Sequence, residues 1–156
     1  MVLALLLVAT SALLFTKGAS ATPGDSKAEA LSQQYEEVTA AARAETLAFL
    51  TVDYKNMDPL IEKVLAGATG TFKKRYERTG ATLKSTAQQA QAVATGKVLE
   101  VGIGDIDSDA AIVFVAADGS VTSKGTKGKA APRYYRFKLT MVRKGDKWLT
   151  SDLDIL

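Results

Sequence analysis

A chain of 156 residues, 47% hydrophobic and 24% charged, is long enough for one domain with its own core and too apolar for wholesale disorder. It has no Cys and no His, which excludes disulfide frameworks, thiolate metal sites and the commonest general base. Lys and Arg outnumber Asp and Glu by 20 to 17, and the resulting +3 reads as ordinary solubility, not a nucleic-acid footprint.

Val2 to Phe15 is an uncharged apolar run. As a helix it would be about 21 Å long against a hydrocarbon core of about 30 Å, the length of a signal-peptide core or a short anchor. Ala19-Ser20-Ala21 has the small-x-small form of a cleavage site, yet no basic residue precedes the run and Lys17 follows it closely. Lys17 suits an anchor, because its long stem lets the ammonium reach the headgroup layer. A start assigned too late would account for the missing basic flank. All of these readings put the remainder outside the cytoplasm. Residues 1–17 are thus expected to form a membrane anchor or signal-like segment, 18–40 a linker and helical stalk, and 41–156 the folded domain.

Gly18 to Ser26 is a small-residue linker, and Ser26 with Glu29 has capping-box spacing. A long amphipathic helix is expected from there to about Val52. Leu31, Tyr35, Val38, Ala42, Leu47, Leu50 and Tyr54 form its apolar stripe, with Glu36, Glu37, Arg43 and Glu45 off it. Asp58 and Pro59 begin a second helix carrying Leu60, Ile61, Val64 and Leu65, stopped at Gly67. A third follows Gly70, with Phe72, Tyr76, Leu83, Ala87 and Ala90 inside and Lys73, Lys74, Arg75, Arg78 and Lys84 outside. That basic side reads as solvated helix surface, with anionic headgroups or an acidic partner as the functional alternative.

After Gln91 the period changes to two. Leu99, Val101 and Ile103 share a phase in a strand from Val93, and Asp105 to Asp109 make a turn. Val113, Val115, Ala117, Gly119 and Val121 hold one phase through Asp118-Gly119, so one long strand, bent or bulged at Gly119, is expected. Ser123 to Ala131 is a basic loop. Pro132 to Leu156 reads as a hairpin, with Tyr135, Phe137, Leu139 and Met141 on one face. Its reversal is Lys144-Gly145-Asp146-Lys147, and Trp148-Leu149 opens the return strand. Helices followed by about four antiparallel strands define an α+β class, with about three helices packed on one face of a curved sheet.

Candidate chemistry is thin. Asp105, Asp107 and Asp109 alternate as in a calcium loop, but the required Gly and terminal Glu are not at matching positions. Gly102-Ile103-Gly104 ends a strand with no helix after it, so it is no phosphate loop. Asp53 beside Tyr54 is the one pair suggestive of acid–base work. As helix neighbours they would diverge by about 100°, which makes Tyr54 core and Asp53 surface. Asp152 and Asp154 share a strand face at the sheet edge. Arg133, Tyr134 and Arg136 mix base and aromatic as single-strand binders do, but an envelope location argues against nucleic acid. No catalytic, cofactor-binding or metal-ligating residue is assigned, and the protein is expected not to be an enzyme.

The apolar N-terminus together with ARAETLAFLTVDYKNMDPLIEKVLAGATGTFKKRYERT, GKVLEVGI, DAAIVFVAAD and PRYYRFKLTMVRKGDKWLTSDLDIL resembles the actinobacterial Mce-associated membrane proteins. The likeness covers roughly Ala40 to the C-terminus. Its most specific parts are Tyr54-Lys55-Asn56-Met57-Asp58 leading to Gly67-Ala68-Thr69-Gly70, and the Arg133–Arg136 strand followed by Lys147 to Asp152. The resemblance implies an NTF2-like, cystatin-like domain, akin to VirB8-like components of secretion machines. It also implies a single-pass protein with that domain on the extracytoplasmic side of the cell membrane. The implied role is accessory: scaffolding an Mce-type lipid or sterol uptake transporter through contacts with Mce subunits or other envelope proteins, and with the bilayer through Val2–Phe15. No catalytic residue or cofactor comes with it. The alternative is a carrier of lipid or small hydrophobes in a cavity between sheet and helices. An isomerase- or cyclase-type enzyme comes third, since it needs a buried carboxylate or Tyr with a shifted pKa.

Overall fold

The computed structural model describes residues 23–156, so the expected anchor at Val2–Phe15 and the cleavage-type Ala19-Ser20-Ala21 lie outside the described residues. In chain order the elements are α1 (Pro23–Leu50), β1 (Val52–Asp53), α2 (Met57–Gly67), α3 (Gly70–Ala90), β2 (Val93–Ile106), β3 (Ala110–Thr122), β4 (Ala131–Lys144) and β5 (Lys147–Ile155). The strands form one antiparallel sheet in sequence order, β1-β2-β3-β4-β5. This is the expected α+β class, with five strands in place of about four.

The extra strand comes from residues assigned to the end of the first helix. β-branched Thr51 and Val52 favour extended backbone, and Val52 and Asp53 pair with Ala94 and Val93. At its other end α1 starts at Pro23, so Ser26 lies inside the helix and is not its N-cap. Pro suits a first turn, where its missing N–H would have no partner. The N-cap of α2 is Asn56, and Asp58 sits in the first turn, where its charge meets the positive end of the helix dipole.

The β4 alternation is realised as expected. Phe137, Leu139 and Met141 are fully buried, and half-buried Tyr135 stacks on Phe137 with ring centroids 5.5 Å apart. Beside them β3 contributes Val113, Val115 and Ala117, while α1 lays down Val38, Ala42 and Leu50 and α3 adds Phe72. Phe49 meets Phe137 edge-on at 5.9 Å and touches Phe72 at 6.1 Å and Tyr76 at 6.3 Å. Side chains therefore fill the space between sheet and helices along this line.

Not every apolar position is used. Leu31 and Tyr35 are exposed because α1 runs past the end of the sheet there, where Gln34 reaches the carbonyl of Asp107. Leu83 on α3 is exposed too. The strand expected to be bent or bulged at Gly119 has no bulge there: Gly119 pairs in register with both neighbouring strands. Gly119 makes room instead, since a Cβ there would lie 3.0 Å from Cε2 of Tyr135. The irregularities fall in β2, between Val98 and Glu100 and between Ile103 and Asp105, and between Thr140 and Met141 of β4. The first leaves Leu99 without an opposite residue and exposed, so it does not share the inward phase of Val101 and Ile103.

Candidate functional site

The middle of α1 reads Ala40-Ala41-Ala42-Arg43-Ala44-Glu45-Thr46-Leu47-Ala48. Alanines at 41, 44 and 48 recur at helical spacing and leave a thin, smooth face. α2 ends nearby on Ala66-Gly67, and β5 returns from the Gly145 turn with Lys147-Trp148-Leu149. These three edges enclose an open groove of about 370 Å³.

Glu45 lies in this groove and is only 4% exposed. Its Oε2 packs against Gly67, where a Cβ would overlap it. A glycine at the end of α2 is thus what makes room for the carboxyl. Burial pushes the Glu45 pKa up from 4.5 to about 8, so the group is a neutral acid at neutral pH. Tyr76 is also raised, first by burial and then by the Glu45 charge. Thr46 hides its hydroxyl by donating to the Ala42 carbonyl at 2.8 Å. Glu45 has no such outlet: among the described residues, its Oε1 and the indole Nε1 of Trp148 are the buried side-chain polar atoms without a hydrogen-bond partner. Trp148 is 5% exposed and lines the same groove. Sequence reasoning placed Glu45 off the helix stripe, and the structure corrects this.

The residues singled out in the sequence are dispersed. Asp53 and Tyr54 are both half-buried, not surface and core, and they sit in the β1 strand and the turn after it, not on a helix. Asp53 Oδ1 accepts the Lys55 N–H at 3.0 Å, and the Lys55 ammonium lies 5.6 Å from the Tyr54 ring centre. Asp105, Asp107 and Asp109 close the β2–β3 turn, and among the described residues no group of three metal-ligating side chains gathers. Gly102 stands opposite Phe114 with open space where a Cβ would be, while a Cβ on Gly104 would lie 2.7 Å from Cε2 of the Phe114 ring, so Gly104 makes room for that ring.

The basic side of α3 is partly committed. Arg75 pairs with Asp152 at 3.2 Å and donates to the Leu153 carbonyl at 2.9 Å, tying α3 to β5. Lys84 pairs with Asp58 at 2.6 Å, tying α3 to α2. On the far side of the sheet Arg136 points outward, as do Phe114, which is 43% exposed, and Tyr134, which is 75% exposed.

This architecture is that of the NTF2-like domains. It is similar to the periplasmic domain of DotI (TM-score 0.61, 10% identity, covering 76% of this chain and 92% of that one). It is also similar to CagV, a VirB8 homologue of the type IV secretion system of Helicobacter pylori strain 26695 (TM-score 0.60, 8% identity, 77% and 96% covered). A ketosteroid isomerase-like protein from Erwinia carotovora atroseptica has the same fold (TM-score 0.53, 20% identity, 78% and 93% covered). The chain belongs to the Rv1363c/MT1408-like family of uncharacterized proteins, whose model matches residues 1–155. No curated protein sequence matches it.

Proposed function

We propose that this protein is a membrane-anchored accessory protein of the cell envelope, held by Val2–Phe15 with its folded domain on the extracytoplasmic side. There it supports an Mce-type lipid or sterol uptake transporter through protein–protein contacts, without turnover of its own. One observation carries the reading: Phe49, Phe72 and Phe137 pack on one another between sheet and helices, where the carrier alternative needs an internal cavity. The isomerase reading gains two shifted groups that feel one another, but Glu45 and Tyr76 open on different grooves. Support also comes from the fold shared with the periplasmic domain of DotI and with CagV, the latter a component of a secretion system. The outward Phe114 and Tyr134, with Leu156 beside Phe114, supply exposed apolar area of the kind that contacts other proteins.

The test is photo-crosslinking in intact cells from positions 114 and 134, with membrane fractionation of the full chain and of a chain lacking residues 2–15. Capture of an Mce subunit and release of the shortened chain from membranes are expected. A full chain that is already soluble defeats the anchor, and crosslinks that consistently miss Mce subunits defeat the partner.

A further inference from the structure

We propose that the groove between α1, the end of α2 and the start of β5 binds an amphiphilic monocarboxylic acid of the fatty-acid kind, its head at Trp148 and Glu45 and its chain along the alanine wall. The inference is independent of the scaffold reading, since this groove lies on the helix side of the domain and not on the outer sheet face.

The head group follows from counting donors. The Trp148 indole Nε1–H can only donate, and so can the ammonium groups of Lys63 and Lys147, two exposed residues at the rim of the same groove. Glu45, neutral in its buried position, adds an O–H. Trp148 Nε1 and Glu45 Oε1 are covered and have no partner of their own among the described residues, so a ligand head that enters as these two side chains turn toward the groove meets groups with no bond to give up. Four donors and two positive charges call for an acceptor-only anion. A cationic ligand is disfavoured by both lysines.

The tail follows from the walls. Ala41, Ala44 and Ala48 of α1, Ala66 of α2 and Leu149 of β5 are apolar and, the leucine apart, small. At about 370 Å³ the groove lies near the lower end of ligand sites, roughly 300–1,000 Å³, so it suits a single narrow chain better than a ring system. Glu45 now rests against Gly67, and binding turns its O–H from there toward the carboxylate.

The groups facing Glu45 are Lys63 from α2, Tyr76 from α3, and Lys147 with Trp148 from β5, and none of them is acidic near neutrality. The proton on Glu45 therefore decides whether a carboxylate is welcomed. Binding weakens as pH rises through about 8, because an ionised Glu45 loses its donor and repels the ligand.

The chain has one Trp, so its indole N–H gives a single signal at the site. The full chain in nanodiscs of zwitterionic lipid is titrated with octanoate, octylamine and octanol while the Trp148 Nε1–H resonance is followed. Octanoate should shift that resonance downfield with saturation, and octylamine should not. Ala44→Phe, at an exposed rim position, and Glu45→Leu should each weaken octanoate binding at least tenfold, with Ala66→Phe as a second block should Ala44→Phe fail to fold. Glu45→Gln keeps a donor, so it should retain binding and lose the fall above pH 8. No saturable octanoate shift, octylamine binding as tightly as octanoate, or wild-type affinity in a folded blocked groove overturns the proposal. The last of these outcomes would mean simple partition into the bilayer.

Discussion

The Glu45→Gln substitution gives a pH-dependent stability difference whose sign and size follow from burial. The Glu45 pKa is about 8 in the folded chain against 4.5 for a free glutamate. Between those values the folded state holds the proton and the unfolded state does not. Stability from this group is therefore complete below pH 4.5, falls as pH rises toward 8, and changes no further above that. Each pH unit in the window is worth about 1.4 kcal/mol, so the full loss is on the order of 3–5 kcal/mol. The substituted glutamine side chain fills a similar space and does not titrate, and every other carboxylate is common to both chains. Subtracting the two unfolding free energies thus isolates position 45. The assay is equilibrium urea unfolding from pH 4.5 to 8.5, followed by the fluorescence of buried Trp148. Glu45→Gln should gain several kcal/mol relative to the parent between pH 5 and pH 8. Parallel pH profiles for the two chains would mean that the carboxyl is not held neutral and would refute the reasoning.

Other substitutions probe the same architecture. Gly67→Ala puts a methyl where Glu45 Oε2 lies and should cost about 1–3 kcal/mol, most of it recovered when Glu45→Ala is added in the same chain, as a double-mutant cycle of urea midpoints will show. Phe72→Ala removes a 2%-exposed ring that touches Phe49 and Tyr76, and thermal or urea unfolding should register a loss of about 3–5 kcal/mol. Lys84→Ala breaks the ion pair to Asp58, but both side chains are substantially exposed, so the same measurement should register less than about 1 kcal/mol. Tyr134→Asp should leave the urea midpoint nearly unchanged, within about 0.5 kcal/mol, while abolishing capture of a transporter subunit by a crosslinker at position 114.

Much of the fold was legible because the strongest signals were periodic. Tyr135, Phe137, Leu139 and Met141 alternate without interruption, and their strand lies at the centre of the core. The unbroken phase of Val113 to Val121 identified one long β3 despite an Asp118-Gly119 pair that ordinarily turns a chain. The misses were places where a tertiary contact overrode a local rule. Val52 and Asp53 follow a strong helix and have no pattern of their own; only the partner strand at Val93–Ala94 makes them β1. Leu99 has the right spacing from Val101, yet one inserted residue in β2 turns it outward. Leu31 and Tyr35 continue the α1 stripe beyond the end of the sheet, so the pattern had nothing to pack against there.

Glu45 is a different case, because its signal is present in the spacing of α1. Position 45 is three residues after Ala42 and seven after Val38, both fully buried, so helical spacing alone puts it on the inward face. Residue type points a Glu to the surface, and position overrides it here. That position poses a question: what lets a carboxyl sit inside? The structure answers with a neutral acid resting on a glycine twenty-two residues later, beside an indole N–H that also lacks a partner among the described residues. Local rules and global fold agree nearly everywhere in this chain, and a foldable sequence rarely keeps such an expensive exception without a use. The Ala42–Glu45–Ala48 spacing, and not any motif, is therefore the part of the sequence from which a binding function was most nearly readable.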